Sequence, residues 1–234
     1  MKRRSQSGVT LLEVLVAVSL LSLLSVGVLT SMRLGLNALG RTSNRLALNR
    51  RVAGAQRILE QQLRSFVPVV ALCGSAAGPG VRTPFFFGEP QSMRFVSAYS
   101  IEEAWRGHPR ILEFQVIPRD QGEGVRLVVN EHLYAGPVSA GLLCRPGAPF
   151  LPIEVGPRSF VLADRLAFCR FTYQEVLPPP AFAVWRPRWD LPRWPGAVRV
   201  EMAPLEDDLT RLRPTPVTAQ IHVNRYPIFE YGDY

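Results

Sequence analysis

Lysine is almost missing from this chain: of its 27 basic side chains only Lys2 is a lysine, and the rest are arginine. Such a bias reads as genome composition rather than chemistry. Histidine and cysteine are scarce, with three of each. No cysteines form a C-x-x-C pair and none clusters with histidine, which excludes the usual zinc spacings. His108, His132 and His222 stand far apart, and no serine or cysteine nucleophile motif surrounds any of them. Nucleophilic and general-base chemistry therefore has no constellation to work with, and no catalytic residue is expected. Gly122 and Gly124 are not followed by the Lys-Ser/Thr pair that a phosphate loop needs. Of the acids at Glu102-Glu103, Asp120 to Glu123 and Glu206-Asp207-Asp208, only Asp207-Asp208 resembles a calcium loop, weakly, and its alternate-position ligands are missing. They read as solvated turns, so neither a metal nor a cofactor is expected. No dense basic run follows residue 4. The formal charge of +8 is thus read as scattered over a solvated face, and nucleic acid is not expected as a partner.

What the chain does have is an unusual amino terminus. Lys2, Arg3 and Arg4 form a short basic head, followed by Ser5-Gln6-Ser7-Gly8. Val9-Thr10-Leu11-Leu12-Glu13 comes next, and from Val14 to Met32 there is no charge. That run is long enough to cross a bilayer as a helix. Glu13 is out of place in it, because an acid inside an apolar span costs about 2.5–3.5 kcal/mol on insertion scales and marks function by default. Three readings compete. A secretory signal peptide needs a shorter apolar run ending in small residues, and Glu13 sits where that run should begin. A plain single-span anchor fits the basic head but leaves Gly8 and Glu13 unexplained. A processed helix explains both.

Residues 8–13 resemble the processing site of type IV prepilins and of the pseudopilins of type II secretion. The resemblance implies that a prepilin peptidase/methyltransferase cuts between Gly8 and Val9 on the cytoplasmic side. It also implies N-methylation of Val9 and makes Glu13 the fifth residue of the mature chain. The family's usual first mature residue is Phe, and here it is Val9. The physics is consistent. A small residue before the cut lets a protease approach the backbone. Loss of residues 1–8 removes the three leader charges of Lys2, Arg3 and Arg4, leaving +5 on the side chains and a helix held less firmly in the membrane. Glu13 then has an assembly role: pairing with the α-amino group of Val9 on a neighbouring copy offsets two charges and sets the axial register. The alternative is that Glu13 merely snorkels to the interface.

Past Met32 the helical pattern continues. Leu48, Val52, Ala55, Leu59, Leu63 and Phe66 recur at helical spacing, with Arg50, Arg51, Arg57, Glu60, Gln61 and Arg64 mostly between them. One long helix is predicted from about Val9 to Phe66, stopped by Pro68. Residues 71–92 read as loop, in which Phe85-Phe86-Phe87 plugs a core edge. Strands are expected at Met93 to Ala98, Arg110 to Ile117, Val125 to Tyr134, Phe160 to Tyr173, Ala197 to Met202 and Thr218 to Val223. Ala135 to Pro157 is rich in Gly and Pro, and Pro178-Pro179-Pro180 reads as a rigid connector. The last residues, Arg225 to Tyr234, are expected to be disordered. Cys73 and Cys144, both in predicted loops, are the guessed disulfide of a periplasmic body, with Cys169 as a buried thiol; three free thiols are the alternative.

These elements give an α+β, pilin-like fold: a long N-terminal helix, membrane-spanning then amphipathic, packed on an antiparallel β-sheet. The expected division is leader 1–8, transmembrane helix 9–36, amphipathic helix 37–66 and a β-rich periplasmic head at 67–234. A second resemblance lies in the body. Val161 to Tyr173, then Trp185, Trp189, Leu191-Pro192 and Gly196 to Met202, resemble in order the J-type minor pseudopilins, with Arg193 to Gly196 intervening in a looser second element. Met93 to Ser97 and Arg110 to Ile117 look like the J-type strands before them. This resemblance implies a non-enzymatic subunit at the tip of the pseudopilus, anchored once in the inner membrane. Its implied partners are the I-type and K-type minor pseudopilins and the major pseudopilin. The alternatives are a minor pilin of a type IV pilus or DNA-uptake machine and, in a different class, a membrane-anchored periplasmic binding domain.

Overall fold

The computed structural model describes residues 10–74, 80–120, 122–144, 154–177, 182–206 and 213–222, with backbone alone at 41, 44, 45 and 48. Helix α1 runs over Leu11–Arg64, 54 residues without a proline. It begins at Thr10, whose hydroxyl accepts the Glu13 N–H at 3.3 Å, and ends ahead of Pro68. The chain divides into two compact units, residues 1–48 and 49–234.

In the first unit, Leu11–Gly40 is apolar enough to cross a membrane, with a mean hydropathy of 2.4 and no buried residue. Its hydroxyls do not disturb that character. Ser19, Ser22, Ser25 and Thr30 each donate at 2.8 Å to a carbonyl one turn back. These four hydroxyls are therefore not left seeking water, which an apolar surrounding would not supply.

The second unit is built on an antiparallel sheet. Its strands are β3 (Phe87–Gly88), β4 (Ser92–Tyr99), β5 (Arg106–Pro118), β6 (Val125–Leu133), β7 (Phe160–Glu175), β8 (Val184–Arg186), β9 (Ala197–Pro204) and β10 (Val217–Gln220). The order is β10-β9-β7-β6-β5-β4-β3. Strand β7 is long enough for two partners on one edge: β6 pairs with residues 160–166 and β8 with residues 173–175, while β9 pairs along 166–174. A small second sheet joins β1 (Val70–Cys73) to β2 (Val81–Pro84), and a short helix α2 (Pro137–Gly141) packs beside β1.

Alternation along β4 and β5 puts a core on each face of the sheet. On one face Leu59 and Leu63 of α1 join Met93, Phe95, Leu112, Phe114, Phe171 and Tyr173. Phe95 and Phe114 stack at 5.8 Å between ring centroids. On the other face Val96 and Ile111 join Phe85, Ala71 and Ala140. Gly88 lets the main core close: a Cβ there would lie 2.5 Å from the Tyr173 ring. Gly141 does the same for the small core, since its Cβ would meet the Leu72 carbonyl oxygen at 2.2 Å.

The loop expected over 71–92 is corrected. It contains β1, β2 and β3, because the residues between its glycines and prolines pair locally. Within it Phe85 and Phe86 are buried, in different cores. Strand β8 and helix α2 were not expected either. Residue Val223 and the segments 178–180 and 225–234 lie outside the described residues.

Candidate membrane and assembly segment

Thr10 and Glu13 stand as S/T-x-x-E at the first turn of α1, the spacing of a capping box. Thr10 supplies the cap to the Glu13 N–H. The carboxylate sits at the end where the helix dipole favours negative charge, and its residue is exposed. Glu13 therefore has a local reason to begin this helix, and its carboxylate is free for a partner as well. Lys2, Arg3, Arg4, Gly8 and Val9 lie outside the described residues.

The apolar stretch of 30 residues is about 45 Å long at helical rise, against a hydrocarbon core of about 30 Å. Twenty residues suffice for the crossing, and Arg33 marks where charge resumes. Exposed Leu20, Leu23, Leu24, Val28 and Met32 line one side of the helix with Gly27 and Ser31. Such a surface suits lipid or like helices, and it suggests a membrane anchor.

Elsewhere the polar groups serve the head. Cys73 and Cys144 are joined by a disulfide with Cα atoms 5.5 Å apart, tying the end of β1 to the residues after α2. Cys73 is thus a strand residue rather than a loop residue. Cys169 is buried in the main core, and burial pushes its thiol up to about 12. His108, His132 and His222 are exposed and separate. Among the described residues no three His, Cys, Asp or Glu side chains gather at one point.

Several buried polar links were not legible beforehand. Arg94 and Glu113 pair at 2.7 Å with both side chains almost fully buried. They are cross-strand partners on β4 and β5, on the face of the small core. Gln62 of α1, which the helical pattern left unassigned, is buried and accepts the Ser97 hydroxyl at 2.7 Å. Glu175, at the end of β7, is gripped by Arg186 and Arg193. The Arg186 hydrogen bond holds its carboxyl below the usual range, against burial that pushes it up, and Arg193 adds to the lowering. A lone glutamate in a strand pattern carries no mark of a distant arginine, so only the fold reveals these pairs.

A groove of about 510 Å³ lies between Leu63, Arg64 and Phe66 and the outer side of β10. It holds no cluster of ionisable groups.

A family model described as the prokaryotic N-terminal methylation motif matches residues 3–29. No curated protein and no solved structure matches the chain. The motif, the apolar helix directly behind its acid and the antiparallel sheet domain together support a type IV pilin-like protein.

Proposed function

We propose that the chain is a J-type minor pseudopilin at the tip of a type II secretion pseudopilus. In this reading it is a structural subunit with no chemistry of its own. The observation that carries it is the placement of the methylation motif, which ends within the apolar helix and puts Glu13 in its first turn. The prepilin peptidase would remove residues 1–8 and methylate Val9. The released helix would then pack against helices of the I-type, K-type and major pseudopilins, with Glu13 paired to a neighbour's amino group.

The J-type assignment is supported by the body. The segments that carry that resemblance are neighbours in space: β7 is flanked by β8 and β9, and Trp189 and Trp194, on the connection from β8 to β9, are buried in the main core. The Trp189 indole donates to the Arg193 carbonyl at 2.6 Å, and the Gly196 N–H donates to the Gln174 carbonyl at 2.8 Å. The Arg193 to Gly196 insertion therefore closes a local turn and leaves the strand order intact.

The head would be periplasmic. Charge counting alone would not orient the chain this way, because arginines also follow the span. The orientation rests on the motif, whose peptidase works from the cytoplasmic side. Deleting the gene in the native host tests the role. Loss of type II export with intact type IV pili supports it. Normal export with lost pili or lost DNA uptake would move the chain to the runner-up, a minor pilin. Glu13→Ala should leave processing intact and weaken assembly, read as a drop in export; normal export by that variant would count against the pairing.

A further inference from the structure

The two ends of the large sheet differ. At one end β3 is two residues long, and Gly88 is bridged to Trp189. At the other end β10 pairs with β9 alone among the described residues. That pairing is regular over Val217–Gln220 and continues to Ile221, whose N–H donates to the Gly196 carbonyl at 2.9 Å. Hydrogen bonding alternates along an antiparallel pair. Ile221 bonds toward β9, so Val217 and Ala219 do the same, and the N–H and C=O groups of Thr218 and Gln220 point off the edge. Among the described residues no backbone partner meets them. A charge, a proline or a bulge ordinarily blunts such an edge. Val217-Thr218-Ala219-Gln220 has none of these.

This edge borders the groove of about 510 Å³ whose other wall is Leu63, Arg64 and Phe66, at and just past the end of α1. Leu63 is buried and Phe66 half-buried, while Thr218, Gln220 and His222 are exposed. The two walls are held together at one end. The Gln56 side-chain amide donates to the Thr215 carbonyl at 2.7 Å and to its hydroxyl at 3.1 Å.

We propose that the edge of β10 takes an extended segment of another polypeptide, which adds as a strand and lays its apolar side chains in the groove. The geometry selects that occupant. Main-chain donors and acceptors at strand spacing are matched by an extended backbone, whereas a helix already bonds its own internally. A strand placed there alternates. Every second side chain faces Leu63 and Phe66, and those between continue the exposed row of Thr218, Gln220 and His222. From Thr218 to His222 the edge spans about 14 Å at strand rise, which admits about five residues. The inference rests on the head alone and stands apart from the pseudopilin reading.

The test screens a displayed library of random heptapeptides against the full chain in detergent. The expected result is enrichment of peptides with apolar residues at alternate positions. Gln220→Pro removes an N–H that points off the edge and no bond to β9. Its thermal midpoint should stay near that of the natural chain, while affinity for the enriched peptides falls roughly tenfold. A second reading leaves the protein unaltered. Of the two alternating sets of peptide amides, N-methylation of one should abolish binding and of the other should leave it, since only one set faces β10. The proposal is overturned if no alternating peptide is enriched, if the peptides bind the Gln220→Pro chain as tightly, or if both N-methylated sets behave alike. Binding only to a chain shortened to end at His222 would also overturn it, by showing that the groove takes the chain's own last residues.

Discussion

At the scale of single residues, burial decides what Cys169 can do. Cys169 lies in the main core with its thiol pushed up to about 12 by burial. It should therefore resist iodoacetamide at pH 8 in the folded chain and react once the chain is unfolded. Mass spectrometry of the alkylated peptide checks this, and fast labelling of folded protein would contradict it. Glu175 makes the opposite case, a charge held in place. Its folded carboxyl titrates below its unfolded value because Arg186 and then Arg193 hydrogen-bond the ionised form. A depressed acid contributes stability that is complete above the unfolded value of about 4.3 and is lost as pH falls through the folded one. The melting temperature should drop on acidification below about pH 4, and Glu175→Gln should flatten that slope while lowering stability at neutral pH. Cys169 was expected as a buried thiol from its place in a strand-like run, and it is one. Glu175 carried no such mark, because its partners come from β8 and from the connection that follows it.

At the scale of elements, legibility follows the reach of the physical signal. Helix α1 was plain because apolar periodicity and the absence of proline act over dozens of residues, and its Leu11–Arg64 bounds fall within two residues of the expected ones. Strands β4, β5, β6, β7 and β9 announced themselves by alternation and β-branched content. The short strands at 70–88 did not, because Pro84 and Gly88 read as turn residues while pairing settles their conformation. Burial of Gln62 was hidden for a similar reason: glutamine on a helix reads as solvent-facing until Ser97 is placed against it. The Cys73–Cys144 link encloses a 71-residue separation and ties down the elements that were hardest to foresee. Its removal should be felt globally. Cys73→Ser should cost about 2–5 kcal/mol by the closure of so long a loop, read as a lower thermal midpoint of the full chain in detergent. An unchanged midpoint would mean that β1 and α2 hold without it.

At the scale of the whole molecule, one stretch near the amino terminus combines features that serve different ends. Thr10 and Glu13 begin the helix, the apolar run that follows suggests an anchor, and the methylation motif overlies both. The formal charge follows the same division, with a neutral region from residue 60 onward behind a basic first 59 residues. Capping gives an acid a place at the start of any helix. The methylation motif over the same residues adds the proposed role, in which the helix is cut, released and packed in register with others. We propose that residues 1–8 are removed and that a methylated helix enters a filament. Mass spectrometry of the amino-terminal peptide, taken from membranes of the native host, tests it most directly. N-methyl-Val9 is expected as the first residue. A chain that still begins at Met1, or one cut beyond residue 30, would contradict it.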